Sequence, residues 1–376
     1  MKKPTFDENY LIDQLNALLT IPSPSGYTDR IVHHVGDELE RLDIPYEVTR
    51  RGAIRATLSG KQNTLDRAVC THLDTIGAMV RMLKDNGRLS VAPVGTWSSR
   101  FAEGARVTVF TGKKQFRGTV LPLKASGHVY GDEVDAQPVN WDQVEIRVDA
   151  RCENKKALSE KGFEVGDYVA FDSRPEITDG YINARHLDNK AGTAVLLTAA
   201  KALKESGAVL PVDCHLLFTI FEEVGIGATE VLYSDITEMV VIDCAMVSTD
   251  NNSCEHAVTL AAMDQAGPFD YHLNQKLSRL CRSNGIDFRK DVFRFYRSDS
   301  ASAIEAGSDI RTALVGFGID GSHGYERTHI SSLLNTASLA AAYMQSPPTF
   351  SRDKDELGSI KGFPNQPSRD VIHIET

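Results

Sequence analysis

At 376 residues the chain is long enough for two ordinary domains with a large core, and 41% hydrophobic against 24% charged residues is the balance of a soluble globular protein. A net charge of −10 argues against a nucleic-acid backbone or an anionic membrane surface as partner. The 6 cysteines (Cys70, Cys152, Cys214, Cys244, Cys254 and Cys281) are scattered with no CxxC pair, which argues against a disulfide framework and a cysteine-type zinc site.

Met1 to Glu8 lacks the apolar stretch of a signal peptide, and no later run is long enough to span a bilayer, so a reducing, cytoplasmic compartment is expected. Asn9 to Thr20 has an amphipathic helix pattern through Leu11, Leu15, Leu18 and Leu19. Ile21-Pro22-Ser23-Pro24-Ser25-Gly26 breaks it, and Arg30 to Leu42 forms a second helix. Tyr46 to Leu58 reads as a strand pair turning at Arg51-Gly52. Asp66 to Cys70 reads as a short buried strand that runs into His72-Leu73-Asp74.

From Met82 to Asp179 helical periodicity is absent. Short β-type runs recur between Gly, Pro and Asp, as in Val107-Thr108-Val109-Phe110 and Val144-Glu145-Ile146-Arg147-Val148. This stretch reads as a small all-β domain inserted into an α/β one, with no catalytic candidate in it. The α/β texture resumes at Tyr181. An Ala- and Leu-rich helix follows Asp188, then the strand Val212 to Ile220, a buried strand from Met239 to Ile242 ending at Asp243, and a helix over Lys276 to Asn284. A last strand, Arg311 to Phe317, and a last helix, Ser332 to Met344, precede a polar, Pro-containing tail. The domains expected are residues 1–81 and 180–347 as the catalytic α/β domain, 82–179 as the β insertion and 348–376 as the tail.

Several strand ends carry acidic or imidazole side chains. His72 and Asp74 are two apart, so both can face one side, and a carboxylate neighbour can orient a ligating imidazole. Asp188 sits at a strand-to-helix turn, where open α/β sheets place ligands. Glu222 and Glu223 are adjacent carboxylates after an apolar strand and repel one another unless a cation or proton compensates. Asp243, His323 and His329 complete the set, whose mixture of nitrogen and oxygen donors suits zinc, cobalt or manganese rather than calcium. Each has a duller reading alone. Asp188 can be a helix N-cap, His72 a polar strand end, Glu222-Glu223 a solvated turn, Asp243 a turn cap, and Asp299 the start of a helix. The order HxD, Asp, Glu-Glu, Asp, His along one α/β chain is much more specific than its parts.

On the stretches His72-Leu73-Asp74-Thr75-Ile76-Gly77, Leu187-Asp188-Asn189-Lys190-Ala191-Gly192, Glu222-Glu223-Val224-Gly225-Ile226-Gly227-Ala228, Ile242-Asp243 and Ser298-Asp299-Ser300-Ala301, the sequence resembles the cocatalytic two-metal aminopeptidases of the tetrahedral (TET), glutamyl and deblocking type. The resemblance implies a mixed central sheet flanked by helices, of zinc-peptidase type, with an inserted PDZ-like β barrel for dimerisation. It implies two divalent ions per subunit, bridged by Asp188. His72 and Asp243 complete one site, Glu223 and a C-terminal histidine the other. Glu222 is then the general base and Asp74 its catalytic companion, while Asp299 and His329 are candidates for substrate contact or alternative ligation. Between the histidines, spacing from the last strand and to the last helix favours His323. A homo-oligomer is implied, as dimers or a dodecamer, acting on small peptides. The family's Asp-Arg after the bridging aspartate reads Asn189-Lys190 here, and its Arg-Tyr-x-His reads Asp320-Gly321-Ser322-His323. Both departures are expected near the substrate. The chain is most similar to a branch associated with synthesis of N-acetylglutaminylglutamine amide, an osmolyte, which makes an acylated glutamine dipeptide a further substrate candidate. Two other readings share these residues: a deacylase or amidase on the same scaffold, and a non-catalytic assembly protein.

Overall fold

The computed structural model describes residues 4–233 and 235–367. Its centre is a nine-stranded mixed sheet. Four neighbouring strands, Cys214–Thr219, Asp66–His72, Ile236–Met246 and Arg311–Ile319, run parallel. Asp66–His72 and Cys214–Thr219 are buried at every position, which is why they read as near-continuous apolar runs rather than alternating ones. Ile54–Leu58 closes one side antiparallel and pairs with Tyr46–Val48. Val258–Asp264 closes the other and carries Phe288–Val292 on its outer edge. Neither of these last two strands is legible in the sequence, because Ala261-Ala262 and the charged Arg289-Lys290-Asp291 lack β-type patterning.

The helix Leu187–Ser206 lies against the sheet and is buried nearly all round. Glu8–Leu19 and Ile330–Gln345 pack against it. Helices observed over Glu8–Leu19, Asp29–Arg41 and Ile330–Gln345 agree with the expected elements to within the fraying of helix ends. Neighbouring residues Cys70 and Thr71 point to opposite faces of their strand. Cys70 Sγ donates to Asp299 at 3.4 Å, whereas Thr71 faces Gly192 of the long helix. The helix Asp299–Glu305 therefore covers the second face of the sheet.

Six antiparallel strands between Gly77–Leu83 and Tyr168–Phe171 close a separate barrel with its own apolar core, including Val80, Val107, Val120 and Ile146. Its first strand starts at Gly77, ahead of the boundary expected at Met82. The run Gly77-Ala78-Met79-Val80 pairs with Val91–Val94 and so belongs to the barrel. A third, three-stranded sheet joins Glu176–Thr178, Tyr181–Ala184 and Glu326–His329, with Ala184 opposite Glu326. Of the expected tail, residues up to 367 are described, and Arg311 links it to the body through Asp353 at 2.6 Å; residues 368–376 lie outside the described part. No helix among the described residues is long and apolar enough to cross a membrane.

Near the N-terminal edge of the parallel strands, Arg67 is fully buried. Glu238 lies between Arg67 Nη2 at 3.6 Å and Lys276 Nζ at 3.1 Å and also accepts from the Thr349 backbone and hydroxyl. Removing the one anion here leaves two buried cations uncompensated. Glu238→Gln should therefore cost about 3–5 kcal/mol, read as a lower urea midpoint with an unchanged m-value. A loss below about 1 kcal/mol, the scale of an exposed pair, would show that the cluster relaxes into water.

Candidate metal centre

At the opposite end of the sheet, five chain segments converge, bearing His72, Asp188, Glu222-Glu223, Asp243 and His323. His72 is the last residue of its strand. Its Nε2 lies 3.2 Å from Asp188 Oδ1, 3.7 Å from Glu222 Oε2 and 4.0 Å from Asp243 Oδ1. Its Nδ1 is held by the Asp74 backbone carbonyl at 3.0 Å, which turns Nε2 toward the carboxylates. His323 Nε2 faces Asp188 Oδ2 at 3.5 Å and Glu223 Oε2 at 3.4 Å. Two groups thus have ligand atoms within 4.8 Å of one another: His72, Asp188 and Asp243; and Asp188, Glu223 and His323. Asp188 belongs to both, with one oxygen toward each histidine.

The local backbone explains these positions. Asp188 precedes the regular part of its helix, at φ −75° and ψ 104°, and its carboxylate points to His72, His323 and Cys244 rather than capping the helix. Phe221 has φ 72°, a left-handed conformation that turns the chain sharply into Glu222 and Glu223. Asp74 locks that turn. Its carboxylate accepts the backbone N–H of Glu222 at 3.1 Å and of Glu223 at 3.3 Å, and the Ser25 hydroxyl at 2.5 Å. Asp74 thus acts beneath the site. Asp243 lies within its strand rather than at its end, because Cys244-Ala245-Met246 continue the pairing with Phe317-Gly318-Ile319.

The electrostatics are those of crowded acids. Burial, and then Asp188, push Asp243 up to about 7. Burial also holds Glu222 well above the usual carboxylate range; His72 opposes this, while Asp243, Asp299 and Glu223 add to it. Asp188 is held low, because His323 and His72 outweigh its burial. Burial alone would lower His323, but Glu223 and Asp188 raise it to about 12. Buried carboxylates at this density need positive charge beside them. A shared carboxylate flanked by two carboxylate–imidazole sets fits a pair of divalent cations, with zinc, cobalt or manganese matching the donors.

Two expected site residues are elsewhere. Asp299 is fully buried and accepts from Thr219 Oγ1 at 2.6 Å and the Ala228 backbone at 2.7 Å. A Cβ on Gly227 would run into it, so this aspartate braces the loop after Glu223 and is not open to substrate. His329 caps the helix Ile330–Gln345, its Nδ1 accepting the Ser331 N–H at 3.1 Å, and it packs against Tyr181 and His256. Asn189 and Lys190 are buried too, donating to the carbonyls of Ile242 and Ile21 rather than lining the substrate side.

Four contributors lie outside the set of site residues expected from the sequence. Glu326 lies behind the cluster, with Oε2 accepting the Asp188 N–H at 3.2 Å and Oε1 the His323 N–H at 2.8 Å. Its place follows from its pairing with Ala184, a long-range register that no local pattern announces. Thr96 holds the other ring nitrogen of His323 through its backbone carbonyl at 3.1 Å, and Gly95 lies where a side chain would meet Ile76 and Glu223. Both come from the β insertion, which was expected to hold no catalytic candidate. Tyr296 shares the wall of the adjoining cavity, about 1170 Å³, with Asp188, Glu222, Asp243 and His323.

The sequence profile of M42 glutamyl aminopeptidases matches residues 52–339. YhfE of Bacillus subtilis (strain 168), a candidate aminopeptidase by name, is 35% identical over 338 residues, which is 89% of this chain and 97% of that protein. The glutamyl aminopeptidase of Lactococcus lactis subsp. cremoris is 27% identical over 270 residues, 68% of this chain and 73% of that one. In fold, the TET aminopeptidase of a marine-sediment Thaumarchaeota archaeon superposes with a TM-score of 0.83 at 16% identity, over 92% of this chain and 98% of that one. The TET1 peptidase of Pyrococcus horikoshii, which can assemble into a tetrahedron or a large octahedral shell, superposes at 0.79 and 23% identity, over 90% and 100%.

Elemental analysis of purified variants tests the geometry. His323→Ala should lose one ion per chain while His329→Ala keeps the wild-type content; the reverse result would reassign the ligand. Glu326→Gln keeps one carbonyl oxygen for two N–H donors, so it should weaken the affinity for one ion by about 10–100-fold. Unchanged affinity would remove Glu326 from the support of the site.

Proposed function

The chain belongs to the M42 glutamyl aminopeptidase family of metallo-aminopeptidases, and from that premise we propose that it cleaves the N-terminal peptide bond of small peptides with two divalent cations and Glu222 as general base. The observation that carries this reading is Asp188 shared by two carboxylate–imidazole groups, with Glu222 beside them and in neither. His72, Asp188 and Asp243 would hold one ion, and Asp188, Glu223 and His323 the other, zinc being the best match. Such ions, when bound, polarise a carbonyl and make water more acidic.

The chain's own residues supply the proton path. Glu222 takes a proton from the attacking water as its oxygen bonds to the carbonyl carbon and the C=O electron pair moves onto oxygen. When that pair re-forms the carbonyl, the C–N bond breaks and Glu222 delivers the proton to the leaving amine. A carboxyl held above its usual range by burial suits a group that must both accept and release a proton. Asp74 keeps Glu222 in position through the backbone, and Glu326 does the same for Asp188 and His323.

A second reading, a deacylase or amidase acting on an acylated glutamine dipeptide of the osmolyte kind, draws on the Ser248, Asn251 and Gln265 side chains of the cavity wall. Paired aminoacyl and N-acetylaminoacyl anilides separate the two, since only an aminopeptidase needs the free amine. The β barrel is read as the subunit contact of a homo-oligomer, and a single-chain mass in sedimentation would overturn that. The six free cysteines are in keeping with a cytoplasmic setting.

Chelation should abolish hydrolysis, and full activity in metal-stripped protein would sink the mechanism. Glu222→Gln should keep both ions and lower kcat by about 10²–10⁴-fold. Should that change chiefly cost metal, Glu222 and Glu223 have exchanged roles.

A further inference from the structure

Tyr296 stands on the loop between the strand Phe288–Val292 and the helix Asp299–Glu305. Its hydroxyl oxygen is buried and has no hydrogen-bond partner among the described residues. A buried hydroxyl without a partner is costly and uncommon in a folded protein. Tyr296 lines the same cavity as Asp188, Glu222, Asp243 and His323, beside the two candidate ion sites. It is close enough to Asp243 to stabilise that carboxylate slightly, yet makes no well-formed hydrogen bond to it.

The ring is held firmly. The Tyr296 carbonyl accepts the Gln265 N–H at 2.9 Å, and the Phe293 N–H donates to Met263 at 2.9 Å. The Phe293 and Tyr296 rings pack with centroids 5.5 Å apart. Farther along the loop, Asp299 is locked by Thr219 and Ala228. A rigid, uncommitted O–H donor thus stands in the same cavity wall as Asp188, Glu222, Glu223, Asp243 and His323. Carboxylates stabilise no negative charge on substrate; a phenol keeps its proton at neutral pH, stays a donor and does.

We propose that the Tyr296 hydroxyl donates a hydrogen bond to the carbonyl oxygen of the scissile amide as it becomes an oxyanion, which makes Tyr296 a catalytic residue. The assignment rests on the hydrolase reading above. It accounts for the missing partner: the substrate oxygen is the partner. The proton stays on Tyr296 throughout, and Glu222 alone carries the proton from water to amine.

Tyr296→Phe removes the oxygen and little else. In holoenzyme, kcat should fall by about 10²–10³-fold with KM and metal content held. The melting temperature should not fall, because the lost oxygen has no bond in the free protein. A phosphonate dipeptide analogue, whose tetrahedral oxygens mimic the adduct, should bind the variant more weakly by a similar factor in calorimetry, while the product amino acid binds both proteins alike. Loss of an ion together with a lower melting temperature would instead make Tyr296 a structural partner of Asp243 and overturn the proposal. Equal phosphonate binding by the two proteins overturns it whatever happens to the hydrolysis reading. If wild type cleaves no aminoacyl substrate, that reading fails separately, and the phosphonate comparison still decides Tyr296.

Discussion

Mutual repulsion among Asp188, Glu222, Glu223 and Asp243 is the constraint around which the rest of the structure is arranged. Neutral donors surround them: Cys244 on Asp188, the Ile76 N–H on Glu223, and the Cys244 N–H on Asp243. Such donors orient carboxylates but cannot cancel their charge. The two imidazoles supply part of the compensation in the protein alone. Because the same imidazoles and carboxylates are the proposed ligands, metal affinity and local stability would be linked in this fold.

The two ends of the parallel strands solve the same problem differently. At the N-terminal edge Glu238 is enclosed between Arg67 and Lys276, cations the chain itself provides. At the C-terminal edge the carboxylates face a cavity, and Arg297 on its wall is committed to Glu305 at 2.6 Å. One end is self-contained and serves the fold. The other leaves its charge for something bound, which is where open α/β sheets place their ligands.

Side chains whose role depends on their own chemistry were legible in the sequence. His72, Asp188, Glu223, Asp243 and His323 meet as the order of motifs along the chain suggests, and His72, Glu223 and Asp243 lie in or just after runs apolar enough to be recognised as buried strands. Contributions made through the backbone or through distant pairing were not. Any residue has a carbonyl, so nothing marks Thr96. Glu326 acquires its place from the register with Ala184, and Tyr296 from a loop anchored on a strand without β-type patterning. Asp299 misled because an aspartate next to serines before a helix looks the same whether it faces substrate or braces a neighbouring loop.

The Thr96 carbonyl on His323 and the place of Gly95 beside Glu223 also bear on modularity. The barrel has its own core and closes on itself, so by topology it is a cassette. In function it is not one, because the segment just after its second strand forms part of the wall that fixes a candidate ligand. A graft that exchanged barrels between relatives would have to carry Gly95-Thr96 in register. Any force that tilts the barrel reaches the imidazole directly, so subunit contacts of the kind proposed for the barrel would be mechanically joined to the geometry of the candidate metal centre.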